Sequence, residues 1–148
     1  DVRDSIELAT RFIFRLLEEG NVKLKFRDDV KMKIAYHTPC HMEKLGWAYY
    51  SIALLRSIPN INLTVLNSQC CGIAGTYGFK KENYETSQGI GASLFRQIEE
   101  VAADFVATDC ETCKWQIEMS TPAKVKHPIS ILAEALDLEA TRKLNSDK

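Results

Sequence analysis

Four short apolar segments, each followed by a stretch of helical periodicity, constrain this chain's fold more than any other feature. They are "KIAYH" (Lys33–His37), "INLTVLN" (Ile61–Asn67), "ADFVATD" (Ala103–Asp109) and the shorter "AKVKH" (Ala123–His127). Their apolar and β-branched residues suit a pleated, buried surface, so each reads as a strand. Helices are expected at Asp4–Glu19, His41–Ile58, Asn83–Glu100, Glu111–Met119 and Pro128–Leu138. In the first, Ile6, Ala9, Ile13 and Leu16/Leu17 form the apolar stripe, Asp4 caps and Gly20 terminates. In the second the stripe is Leu45, Tyr49, Ile52 and Leu55, and Pro59 stops the helix. Ile90, Leu94, Phe95 and Ile98 turn the third inward, and Pro128 occupies the first turn of the last. Alternation of this kind predicts an α/β domain: a mainly parallel sheet of about four strands with helices on both faces. No linker or repeat divides the chain, so residues 1–148 read as one domain with its core at 33–138, and the polar run 139–148 is expected to fray.

Composition narrows the function classes. With 148 residues and a net charge of -1, the chain has no global field to attract nucleic acid or an anionic membrane surface. No apolar run approaches the roughly 18 residues of a membrane span, and no basic-then-apolar leader is seen. A first residue of Asp1 rather than Met reads as a fragment or a processed product. The five cysteines are an odd number in a chain with long amphipathic segments. A secreted disulfide framework uses an even number in a shorter, loop-rich chain, so these read as intracellular thiols for metal or redox chemistry.

Their placement sharpens that reading. Cys40 follows the first strand, Cys70 and Cys71 the second, and Cys110 the third, with Cys113 one helical turn further on. All lie past the carboxyl end of a strand, the edge where open α/β sheets bind ligands, and near helix starts, which favour thiolate. An isolated cysteine is most often a small buried hydrophobe, but that leaves the shared placement of five unexplained. A thioredoxin-like pair at Cys110 and Cys113 leaves Cys40, Cys70 and Cys71 without a role. Tetrahedral zinc needs four ligands, whereas several irons can each take one of two adjacent thiolates, so stoichiometry favours iron–sulfur over zinc. Gly72, Gly75 and Gly78 read as room for such a centre; they match neither G-x-G-x-x-G nor a P-loop, so no nucleotide site is proposed. His37 and His41 flank Cys40 and could ligate metal or hydrogen-bond a sulfur, though each is better read as satisfied locally. His127 reads as a loop residue, and Trp47, Tyr49, Tyr50 and Trp115 as core.

The order Cys40, Cys70-Cys71-Gly72, Cys110-x-x-Cys113 resembles the cysteine-rich CCG domain. That domain occurs in the B subunit of heterodisulfide reductase, in the iron–sulfur subunit of glycolate oxidase and in the C subunit of anaerobic glycerol-3-phosphate dehydrogenase. The words "YHTPCHMEKLGW", "SQCCGIAGTYGFKKENYETSQ" and "TDCETCKWQIEMSTPAKVKHPISILAEAL" are most similar to the carboxyl-terminal CCG domain of the last group. The resemblance implies an iron–sulfur cluster, in heterodisulfide reductase a non-cubane [4Fe–4S] form, held by Cys40, Cys70, Cys71, Cys110 and Cys113. It implies an electron-transfer role between flavin-bearing dehydrogenase subunits and menaquinone, peripheral to the cytoplasmic side of a bacterial inner membrane. An upstream ferredoxin-like region and a first CCG domain would belong to the same chain. No catalytic side chain is assigned. Two alternatives stand beside this: disulfide-reducing catalysis at the cluster, and a zinc-binding structural module. Zinc could also replace a cluster lost in air.

Overall fold

The computed structural model describes residues 6–146. The elements run α1 (Ala9–Glu18), β1 (Met32–Tyr36), α2 (Cys40–Leu45), α3 (Ala48–Arg56), β2 (Ile61–Val65), α4 (Tyr84–Val101), β3 (Phe105–Ala107), α5 (Glu111–Ser120), β4 (Val125–Lys126), α6 (Pro128–Ala135) and α7 (Leu138–Ser146). Two single 3-10 turns, Tyr77–Phe79 and Lys81–Asn83, lead into α4. The sheet is four-stranded and parallel throughout, in the order β2-β1-β3-β4. Tyr36 pairs with Val65 on one side and with Ala107 on the other, so three strands end level.

Strand alternation divides the core between two faces. Ala35, Val106 and Val125 face Leu94, Phe95, Ile98 and Ile117 of α4 and α5. Ile34, Tyr36 and Ala107 face Leu54, Leu55 and Ile58 around α3 and Ile131, Leu132 and Ala135 of α6, with α1 partly covering that side. Helices therefore cover both faces, as the alternation predicts. The chain leaves β1 outward to β2 and then returns to β3 on the other side, so the strand order reverses between β1 and β3. A crevice opens at such a switch point.

Several local expectations are corrected. The helix expected over His41–Ile58 is broken at Gly46, which adopts φ 67° and caps α2 in the left-handed region. The break resets the helical face: Met42, Ser51, Leu54 and Leu55 are buried, while Leu45 and Tyr49 are exposed. Tyr49 is not core; it stacks at the surface with Phe14 and Tyr50. Trp47 is half-buried. In α4 the inward face is Ser87, Gly91, Leu94, Phe95 and Ile98, and Ile90 is exposed. Small residues at 87 and 91 allow a close approach that a face centred on Ile90 would prevent. α1 begins at Ala9, so Ile6 lies outside its stripe; the capping role expected of Asp4 lies outside the described residues.

The run expected to fray forms α7 as far as Ser146. Asp137 Oδ1 accepts from Ala140 N at 2.9 Å and so caps its first turn. Asn145 then joins Lys23 like a strand partner, Oδ1 accepting from Lys23 N at 3.0 Å and Nδ2 donating to Lys23 O at 2.8 Å. Thr141 Oγ1 does the same for Lys25, accepting at 3.0 Å and donating at 3.1 Å.

Candidate metal centre

All five cysteines line one cavity of about 150 Å³ at the carboxyl edge of the sheet, together with His37, His41, Ile73, Ala74, Gly75 and Thr112. β1 delivers His37 directly from its end. A Pro39 turn then places Cys40 as the first residue of α2. The loop after β2 carries Cys70 and Cys71. Cys110 stands at the N-cap of α5, and Cys113 lies in that helix's first turn. Cys71 and Cys113 are buried, Cys110 is half-buried, and Cys40 and Cys70 are exposed at the mouth.

The sulfurs are close enough to share protons. Cys71 Sγ and Cys113 Sγ lie 3.3 Å apart in a hydrogen bond. That bond, against an opposing push from burial, is the first cause holding the Cys71 thiol down at about 5, with His37 adding a further lowering. Cys110 is likewise held down at about 5, first by Cys113 and then by the Thr112 hydroxyl, 3.2 Å from its sulfur. Cys113 is displaced upward, first by Cys110, then by Cys71 and by burial. These shifts favour the proton on Cys113 and the thiolate form at Cys71 and Cys110. Thiolate is the form that binds metal.

The loop's path depends on glycine. Gly72 has φ 89°, and a Cβ there would collide with the Ser87 carbonyl of α4. At Gly91 a Cβ would meet the Cys71 carbonyl at 2.6 Å. The Ser87 hydroxyl donates to Gly72 O at 2.9 Å and accepts from buried Gln116 Nε2 at 3.0 Å, tying the loop to α4 and α5. Gly72 thus makes room for helix α4, a Cβ at Gly78 would meet the Ser87 hydroxyl and Ile73, and neither glycine lines the cavity, which corrects the expectation from sequence. Gly75, in the left-handed region with open space at its Cβ position, does line the cavity. Gly72 N also donates to Cys70 Sγ at 3.3 Å.

Other expected roles shift. His37 is not satisfied locally through its ring: the residue is 2% exposed, and Nε2 is buried without a hydrogen-bond partner. A ring nitrogen of His37 and the sulfurs of Cys71 and Cys113 all lie within 4.8 Å of one another. His41 is exposed at the mouth. His127 is the N-cap of α6, its Nδ1 accepting from Ile129 N at 3.1 Å. Trp115 is half-exposed and packs on Phe79, with ring centroids 6.0 Å apart, so it is not core.

A polar network that pattern reading missed stands behind Cys110. The Asp109 side chain is 4% exposed, with His127 Nε2 3.9 Å away. It accepts from Tyr36 Oη and from Ser51 Oγ, each at 2.6 Å. Burial first, and then the Asp109 charge, push the Tyr36 phenol upward, so it stays a donor. The network joins the ends of β1 and β3 to α3. The available signal was an acidic residue just past a strand end, directly before a cysteine.

The donors suit a soft-metal group. Sulfur ligands select Cu(I), zinc and iron–sulfur clusters, and a buried imidazole with an unpartnered Nε2 stands beside them. The chain is similar to several known proteins. The model of the cysteine-rich domain family (CCG) matches residues 34–118. The C subunit of anaerobic glycerol-3-phosphate dehydrogenase from Escherichia coli (strain K12) is 66% identical over 136 residues, covering 91% of this chain and 34% of that protein. An uncharacterized iron–sulfur protein of Methanocaldococcus jannaschii is 32% identical over 122 residues, 81% of this chain and 22% of its own length. D-2-hydroxyglutarate dehydrogenase of E. coli (strain K12) is 31% identical over 68 residues, 45% of this chain and 7% of its own. The chain spans about a third of the length of the first of these relatives.

Proposed function

The chain belongs to the cysteine-rich domain family, and on that footing we propose that it is an iron–sulfur, electron-transfer domain of a respiratory dehydrogenase, related to the C subunit of anaerobic glycerol-3-phosphate dehydrogenase. The observation that carries this reading is the convergence of five cysteines on one cavity. In the proposal Cys40, Cys70, Cys71, Cys110 and Cys113 hold a [4Fe–4S] cluster, of the non-cubane kind that five thiolates and an adjacent pair suit. The bound cluster would supply one-electron chemistry.

The chain's own groups do the rest. Cys71 and Cys110 offer thiolates at neutral pH, and the Gly72 amide faces the Cys70 sulfur. Buried Cys71, Cys113 and Ile73 keep water from the inner wall, while Cys40 and Cys70 leave the mouth open to a redox partner. No side chain is assigned as a general acid or base. In the same proposal, electrons arrive from flavin-bearing subunits and leave toward menaquinone, with the domain peripheral to the cytoplasmic face of the inner membrane. A ferredoxin-like region and a first CCG domain would precede it. Among the described residues, no helix is long and apolar enough to cross a membrane.

A second reading, a mononuclear zinc module, draws on one observation: His37, Cys71 and Cys113 alone make a compact three-ligand group. Anaerobic purification followed by iron, acid-labile sulfide and zinc analysis with EPR separates the two. The proposal expects iron and sulfide in equal amounts and a paramagnetic cluster signal. One zinc per chain without iron refutes it. Free labelling of all five thiols in fresh anaerobic protein refutes both.

A further inference from the structure

Resting on the iron–sulfur reading above, we infer that His37 is a positioning residue for the cluster: its Nε2–H donates a hydrogen bond to a sulfur at the inner wall, the thiolate of Cys71 or Cys113 or a cluster sulfide beside them. Three observations on this side chain combine. It is 2% exposed. Its Nε2 has no hydrogen-bond partner, which is rare and costly for a buried polar atom. And its ring stands within 4.8 Å of two sulfurs that face the same cavity.

The backbone fixes this placement. His37 N donates to Ala107 O at 2.9 Å, continuing the β1–β3 ladder by one residue. The ring is therefore held at the switch point by the sheet rather than by a loop. A neutral imidazole carries one N–H. With the proton on Nε2, the unpartnered atom becomes a donor, on a ring that has one nitrogen within 4.8 Å of the two sulfurs.

Such a bond has a redox consequence. Reduction adds negative charge to the cluster and its sulfurs, so an N–H donor stabilises the reduced form more than the oxidised form and raises the potential. Removing the donor shifts the potential downward. A differential of about tenfold in the reduced-to-oxidised ratio, about 59 mV for a one-electron couple, is the expected size for one hydrogen bond. The five cysteines remain the ligands; His37 acts through them.

The test is made on the whole 148-residue chain, reconstituted anaerobically with iron and sulfide. In wild-type protein carrying 15N-histidine, pulsed EPR of the paramagnetic state should show a weak nitrogen coupling and a nearby proton that exchanges in D2O. Both should vanish in His37→Leu, whose potential falls by about the tenfold shift. His37→Gln keeps an N–H donor and should restore part of that potential. Strong coupling typical of a directly bound imidazole overturns the inference, because His37 is then a ligand. Absence of any histidine coupling in the wild type overturns it too, as does an unchanged potential in His37→Leu. If His37→Leu assembles no cluster, the wild-type spectrum and His37→Gln decide. A wild-type chain that binds no iron refutes the iron–sulfur reading itself, and this inference with it; iron binding without the histidine coupling refutes only the inference.

Discussion

Replacing Gly72 by alanine tests how the cysteine loop is held. Gly72 has φ 89°, a region that costs an L-residue about 1–2 kcal/mol. The added Cβ would also press on the Ser87 carbonyl and lie 3.2 Å from Gly91 N, both backbone atoms of α4 that cannot rotate away. Pushing a packed helix back by overfilling typically costs about 1–3 kcal/mol. The sum, about 2–5 kcal/mol, is a large share of the ~5–15 kcal/mol that stabilises a domain. Gly75→Ala is the comparison: its φ is 66°, but nothing lies within 4 Å of the new methyl, so only the conformational cost of about 1–2 kcal/mol applies. Urea unfolding of the metal-free, reduced chain, followed by circular dichroism, measures both. If Gly72→Ala is no less stable than Gly75→Ala, the close approach of α4 is not what shapes the loop.

Three further outcomes are expected. Cys71 and Cys110, held down at about 5, have released protons that the unfolded chain retains up to its ordinary thiol value of ~8.5. Their contribution to stability is complete above that value and is lost as pH falls through about 5. Cys113, displaced upward, contributes in the opposite sense, losing stability as pH rises above the unfolded value. Metal-free protein should therefore gain stability between these two limits, with a thiolate absorbance step near pH 5; a single step in the ordinary thiol range would contradict this. Asp109→Asn removes the charge that Tyr36 and Ser51 both bond and should cost about 1.5–3 kcal/mol in the same unfolding assay. Asn145→Ala should cost about 0.5–1.5 kcal/mol and speed amide exchange at Lys23, whose N–H it leaves without its partner.

The fold class and the candidate site were largely legible in the sequence because both depend on short-range pattern. Strand and helix periods are local, and a parallel α/β sheet collects every strand's carboxyl end on one edge. Cysteines spaced just past those ends had to come together, so all five fell on one cavity. Local pattern also explains the errors. Gly46 breaks a helix that continuous periodicity had joined, and Ile90 fits a helical stripe yet loses the inward face to Ser87 and Gly91. The final helix looked like a polar tail because its partners, Lys23 and Lys25, lie more than a hundred residues away in sequence.

Residue order alone is enough for the parallel sheet and the five thiols at its edge, since each follows from period and spacing. Which thiols are buried, which share a proton and which face the mouth is a matter of packing. Packing also placed Asp109 under Tyr36 and Ser51, and it turned His37 from a strand-end residue into a buried side chain with an unpartnered Nε2, its ring close to two sulfurs. One cause runs through all of these. Burial and proton sharing are set by atoms brought close from distant parts of the chain, and no local pattern records that distance.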